Sequence, residues 1–190
     1  FFAARFLLDY PRVKLYKESQ MEWLRDERGL PFWTYAAPGM KRDKVWLNGW
    51  GGDMLRAFGL AKISVVDVRS PEAFKLGHVP HARSLPADVV RRHFADPPAL
   101  AAALAAAGVN ASDEAVIVSD SALNPDSALA FLALEKLGQK KVSVLMDSVD
   151  DWGLAGYRLT KDAPAAGKGG PKPYTAVPRT GIVIDSAARG

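Results

Sequence analysis

The sequence predicts an α/β domain built on a parallel sheet. Three largely β-branched apolar runs, at 63–68, 115–119 and 142–145, read as strands, the first buried on both faces. Helical stretches separate them, the alternation expected of parallel strands joined by crossover helices. Cap residues punctuate the runs. Ser70-Pro71-Glu72 opens one helix, and Gly108 and Gly138 close two others.

The elements follow in order. Residues 1–10 read as a helix, apolar at Phe2, Phe6 and Leu7 and stopped by Pro11. A short strand at 13–16, a helical turn at 20–25 around Met21 and Trp23, and an extended exit at 29–35 lead to Ala37-Pro38. Residues 38–60 read as an irregular connector with one helical turn at 54–58. Trp46 and Trp50 are expected to pack on a domain surface, because large apolar rings need cover. The strand at 63–68 follows, then the helix at Ser70, helical stretches at 87–94 and 98–107, and the strand at 115–119. A helix ending at Gly138 precedes the strand at 142–145. The segment 163–178 is rich in Pro, Gly, Ala and Lys and reads as a linker. Gly181-Ile182-Val183-Ile184-Asp185 resembles another first strand, so either a further unit begins there or a lone strand pairs elsewhere.

The first elements return near residue 130. At one constant offset Phe2 coincides with Phe131, Leu8 with Leu137, Val13 with Val142, Ser19 with Ser148 and Trp23 with Trp152. Both copies run on to Ala-Pro, at 37–38 and 163–164. A repeat of this length suggests tandem domains rather than a solenoid. Four segments are therefore expected: 1–37, the C-terminal part of an upstream repeat; 38–59, a linker; 60–162, the main domain; and 163–190, a linker and possible start of a further repeat. The alternative for 1–37 is a helix–strand extension packed on the main domain.

Composition narrows the function classes. At 48% apolar and 24% charged over 190 residues, the chain has globular composition. No window approaches the length of an apolar membrane span. Net charge is +4. The basic residues Lys41, Arg42 and Lys44, then Arg91 and Arg92, then Lys140 and Lys141, form scattered clusters that read as solvated surface, not a nucleic-acid stripe. With no cysteine, disulfides, thiolate metal sites and persulfide chemistry are excluded within the chain. The three histidines form no metal-ligand cluster with a carboxylate, and no cofactor is implied. The lack of cysteine and a processed-looking start without Met favour an extracytoplasmic (periplasmic or secreted) location.

Asp67-Val68-Arg69, Pro71-Glu72-Ala73-Phe74 and Gly77-His78-Val79-Pro80 together resemble the signature of the rhodanese (sulfurtransferase) family. The similarity runs over about 60–162, through Leu85-Pro86 and the strand at 116–120 to Trp152. It implies a rhodanese-like three-layer α/β fold, a central parallel sheet flanked by helices. It makes Asp67, Arg69, Glu72, His78 and Trp152 the structural family residues. Arg69 near Glu72 is expected to form a local ion pair, and Asp67 to accept backbone N–H groups. His78 reads as a turn histidine rather than a proton shuttle.

In an active rhodanese the strand would run into a reactive cysteine, followed by a loop whose N–H groups hold an anion at a helix N-terminus. Aligning Ser127-Ala128 puts Ser121 in the cysteine position, and Ala122, Leu123, Asn124, Pro125 and Asp126 complete the loop. A serine hydroxyl carries no persulfide and is not ionised near neutral pH without a base beside it. The loop holds no Arg or Lys and is flanked by Asp120 and Asp126. Asn124-Pro125-Asp126 reads as an ordinary helix start, with a cap, a proline at the first helical position and an acid in the first turn. Where the family often has Gly-Gly before the tryptophan, Asp147-Ser148 stands here. The resemblance then implies an inactive rhodanese-like domain with a structural or protein-binding role, partnered by another protein or by flanking rhodanese domains. The alternative is a sulfurtransferase whose reactive cysteine lies outside this chain.

Overall fold

In the computed structural model, residues 38–121, 123–162, 173–175 and 177–179 are described. The expected helix, strand and exit within 1–37, most of the tail, and the strand at 181–185 lie outside them.

Three consecutive apolar strands form the centre of a sheet. They are β2 (Ile63–Asp67), β4 (Glu114–Val118) and β5 (Lys141–Leu145). Short strands β1 (Lys41–Arg42) and β3 (Arg83–Ser84) flank them in the order β1-β5-β4-β2-β3. Every pairing is parallel, with Val65 opposite Val116 and Ala115 opposite Val142.

A strand's side chains alternate between faces, so an unbroken apolar run must have cover on both. Ala115 and Ile117 of β4 enter one core; Val116 and Val118 enter the other. On the first face lie α4 (Ala87–His93), α5 (Pro97–Ala107) and α6 (Pro125–Leu137), contributing Val90, Leu104 and Leu134. On the second lie α1 (Lys44–Trp50), α3 (Pro71–Leu76) and α7 (Val149–Leu154), contributing Leu47, Phe74 and Trp152. The result is the three-layer arrangement expected.

The helices begin where their caps dictate. Ser70 accepts the Ala73 N–H, Asp96 that of Ala99, and Asn124 that of Ser127. α5 and α6 close on Gly108 and Gly138, both left-handed. Gly138 is fixed twice over. Its φ is +81°, and a Cβ there would lie 2.0 Å from the Val177 carbonyl oxygen.

Two expectations are corrected. Residues 38–60, read as irregular but for one helical turn at 54–58, also hold β1 and α1; the turn itself is α2 (Asp53–Ala57). Asp43 caps α1 through the Trp46 N–H, and β1 extends the sheet by pairing with β5, where Arg42 also meets Glu114 at 2.7 Å. Trp46 is partly buried beneath the Arg42 guanidinium, but Trp50 is 59% exposed. The segment read as a linker after 163 is also tied down in part. Tyr174 is buried and donates its hydroxyl to the Gln139 side chain at 2.6 Å, while Val177 and Arg179 bond the last carbonyls of α6.

The basic clusters are not simply solvated. Lys44 bonds Asp147, and Lys141 joins Arg42 on Glu114. Burial pushes the Glu114 carboxyl up, yet hydrogen bonds from Arg42, Lys141 and Ser143 outweigh it and hold the group below its usual value.

Candidate functional site

In an open parallel sheet, ligands sit at the carboxyl ends of the strands. Here these ends present Asp67 to Ser70 after β2 and Ser119 to Asn124 after β4. Asp67 is wholly buried, and the chain turns directly beyond it. Its carboxylate accepts the Arg69 backbone N–H at 3.0 Å, as the sequence suggested. The Arg69 guanidinium then folds back on it, Nε at 3.0 and 3.2 Å and Nη2 at 2.7 Å. The same Nη2 reaches the Gly77 carbonyl at 2.8 Å. This replaces the expected Arg69–Glu72 pair: Glu72 is exposed in the first turn of α3, and Asp67 offers Arg69 a buried, two-oxygen partner.

His78 is buried, with its ring stacked on Phe74 at 3.8 Å. Its Nδ1 donates to the Phe74 carbonyl at 2.9 Å, which leaves Nε2 without a partner. Its backbone exchanges two 2.9 Å bonds with Thr160. Trp152 is buried on α7 and donates its indole N–H to the Arg158 carbonyl at 3.0 Å. Before it, Ser148 caps α7 reciprocally with Asp151, and the Ser148 hydroxyl and N–H hold the Asp151 carboxyl below the usual range. Asp147 takes the Lys44 N–H and ammonium, and this bond raises the lysine above its ordinary value.

The loop after β4 is short and outward. Ser119 is buried and donates its hydroxyl to the Ser121 carbonyl. Asp120, Ser121 and Leu123 are exposed; Ala122 lies outside the described residues. Among the described residues, the Ser121 hydroxyl is bonded by the Asn124 amide at 3.4 Å, while His78 and His81 bond Phe74 and Asp53 instead. Asn124 and Ser127 form a reciprocal capping box. The Asn124 side chain accepts the Ser127 N–H at 2.8 Å, and the Ser127 hydroxyl accepts the Asn124 N–H at 3.0 Å. Pro125 has no N–H to offer and Ala128 donates to the Asn124 carbonyl, so the first turn of α6 is largely satisfied from within.

Sequence reasoning missed the cations that meet this loop, because they come from distant positions. Arg91 of α4 bonds Asp126 at 2.8 Å and Asp88 at 2.5 Å. Arg69 Nε lies 4.0 Å from Asp120. Each is already engaged by a carboxylate, so neither adds unspent positive potential. A nucleophile here would lack a base, and an anion would meet Asp120 first.

Residues 52–155 match the rhodanese-like domain family. The chain belongs to that family. No curated protein matches it. Among solved structures it is similar to the Escherichia coli 3-mercaptopyruvate sulfotransferase SseA, at 18% identity and a TM-score of 0.62, over 78% of this chain and 59% of that one. It is also similar to an anaerobic ergothioneine biosynthesis enzyme from Chlorobium limicola, solved with trimethyl histidine, at 19% identity and a TM-score of 0.63. That match covers 84% of this chain and 41% of the enzyme. At these identities the likeness is one of fold, and the chain spans about three fifths or less of either relative. No helix among the described residues is long and apolar enough to cross a membrane.

Proposed function

We propose that this rhodanese-like domain is catalytically inactive and serves as a structural, protein-binding unit of a larger multi-domain protein or complex. The observation that carries the reading is the strand-to-helix loop. Ser121 stands where the family resemblance calls for cysteine, and the helix start that would hold an anion is filled by Asn124 and Ser127. Asp120 and Asp126 flank it, and Arg69 and Arg91 are spent on carboxylates. Ala122, Leu123 and Pro125 add no ionisable group. Asp67, Arg69, His78 and Trp152 serve as scaffold. The constant-offset repeat supports placement within a tandem array, in which 1–37 closes one repeat and 60–162 forms the next.

A second reading rests on the chain spanning 59% of the Escherichia coli relative. It makes the protein a sulfurtransferase whose reactive cysteine lies outside these residues.

The test is sulfur transfer from thiosulfate to cyanide by this chain alone, with Ser121→Cys beside it. The parent is expected to form no thiocyanate above blank. The variant thiol is expected to keep a pKa at or above the ordinary ~8.5, since the cations that reach this loop among the described residues, Arg69 and Arg91, are paired with carboxylates. Thiocyanate turnover by the parent, or a strongly depressed thiol pKa in the variant, overturns the inactive reading. Turnover by this chain only when it is joined to, or mixed with, a cysteine-bearing rhodanese domain selects the second reading. A chain that captures no partner from its native extract counts against the binding role.

A further inference from the structure

A cavity of about 320 Å³ opens beside the second core, away from the loop after β4. Its floor is Leu47, Val65, Val79 and Trp152, all nearly inaccessible to solvent. Val65 lies mid-strand in β2. His81 precedes β3, whose Arg83 pairs with Val66, so the cavity faces the amino-terminal halves of these strands. It is therefore distinct from the strand ends where the family resemblance places its chemistry.

The rim is polar and unevenly charged. Asp53, in the first turn of α2, receives the His81 Nε2–H at 2.6 Å. His81 is held for this in a left-handed conformation, φ +66°, unusual for a residue other than glycine. Across the opening, Asp162 accepts the Thr160 hydroxyl at 3.0 Å and lies 3.8 Å from Arg158. Both carboxylates are more than 80% exposed, and each has one oxygen without a bond among the described residues. Two carboxylates and one guanidinium thus stand on the rim, and the guanidinium is already turned towards Asp162. An apolar floor with a few convergent polar groups is the usual build of a small-ligand site, and this volume lies at the lower end of that range.

We infer that this cavity binds a compact organic monocation, its apolar body on Leu47, Val65, Val79 and Trp152 and its charge between Asp53 and Asp162. The inference stands apart from the inactive reading of the Ser121 loop, since it uses none of that loop's residues.

The experiment titrates the full chain with benzylamine, benzyl alcohol and benzoate, observed by amide and indole ¹H–¹⁵N spectra. The Trp152 indole N–H, bonded to the Arg158 carbonyl, is the reporter on the cavity floor. Saturable shifts at Trp152, Thr160 and His81 with benzylamine, weaker ones with the alcohol and none with benzoate are expected. Asp53→Asn and Asp162→Asn should each weaken benzylamine about two- to fivefold, the range for an exposed ion pair. Both sites are exposed, and an unchanged Tm will show that the variants fold. A blocked Phe-Lys dipeptide tests whether a protein-borne cation is accepted in place of a free amine; binding of either supports the site. Benzoate binding as tightly as benzylamine, no saturable shift with any probe, or unchanged affinity in both variants overturns the inference.

Discussion

The Asp67–Arg69 pair offers the sharpest test of what holds the rhodanese-like signature together. Arg69→Met keeps most of the apolar stem but removes the guanidinium. The Asp67 carboxylate, at 0% exposure, is then left with the residue-69 backbone N–H as its remaining hydrogen bond. The Gly77 carbonyl loses its 2.8 Å donor as well. Breaking a buried pair from one side costs about 3–5 kcal/mol, because a charge stays buried without its partner. At roughly 2–4 °C per kcal/mol for a domain of this size, the melting temperature should fall by about 10 °C. Urea unfolding followed by far-ultraviolet circular dichroism reads the loss directly. Adding Asp67→Asn should recover part of it, giving a coupling of about 2 kcal/mol in the double-mutant cycle. Arg91→Ala, which breaks the half-exposed bonds to Asp88 and Asp126, is the control and should lose less than about 1 kcal/mol. If Arg69→Met costs no more than Arg91→Ala, the buried pair is not the organising contact described above.

Three further outcomes follow from single contacts. Asn124→Ala removes one half of the capping box on α6 and should cost about 1 kcal/mol in urea unfolding, with Asn124→Asp recovering most of it. Glu114 has a lowered carboxyl pKa in the folded chain, so its contribution is present above its ordinary value near 4.5 and lost as pH falls through the lower folded value; Glu114→Gln should flatten that acid limb of the stability profile. Burial raises the Tyr174 hydroxyl to about 12 from 10.0, so the stability tied to its neutral form is complete below pH 10.0 and lost as pH rises towards about 12. Tyr174→Phe should abolish that alkaline loss and cost about 1 kcal/mol at neutral pH for the bond to Gln139.

The centre of the fold was legible because its signals are local. An apolar β-branched run needs cover on both faces wherever it sits, and Ser70, Asn124, Gly108 and Gly138 mark helix ends within a few residues of themselves. The edge of the sheet was not legible for the opposite reason. Residues 41–42 become a strand by pairing with β5, about a hundred positions away in the chain, and Arg42 is fixed there by Glu114, seventy-two positions away. Trp, Asn and Gly in the following stretch look like loop residues until Asp43 caps them into α1. At the candidate site, the identities of Ser121 and Asn124 and the cap were readable. The true partner of Arg69 and the arrival of Arg91 at Asp126 were not. The first is a choice between two nearby carboxylates that burial decides, and the second depends on how α4 packs beside α6. The cavity was invisible for a similar reason: Asp53 and His81 meet across 28 positions, on a turn whose left-handed residue has no marker in the sequence.

The two margins of the sheet have a consequence for recognition. β1 and β3 are each two residues long, and they are the outermost strands among the described residues. An incoming peptide that sought to prolong the sheet would find too few free backbone groups in line to hold it, the defence natural sheets use against unwanted edge pairing. A protein that docks here must therefore be chosen by side chains, through helix faces, loops and hollows.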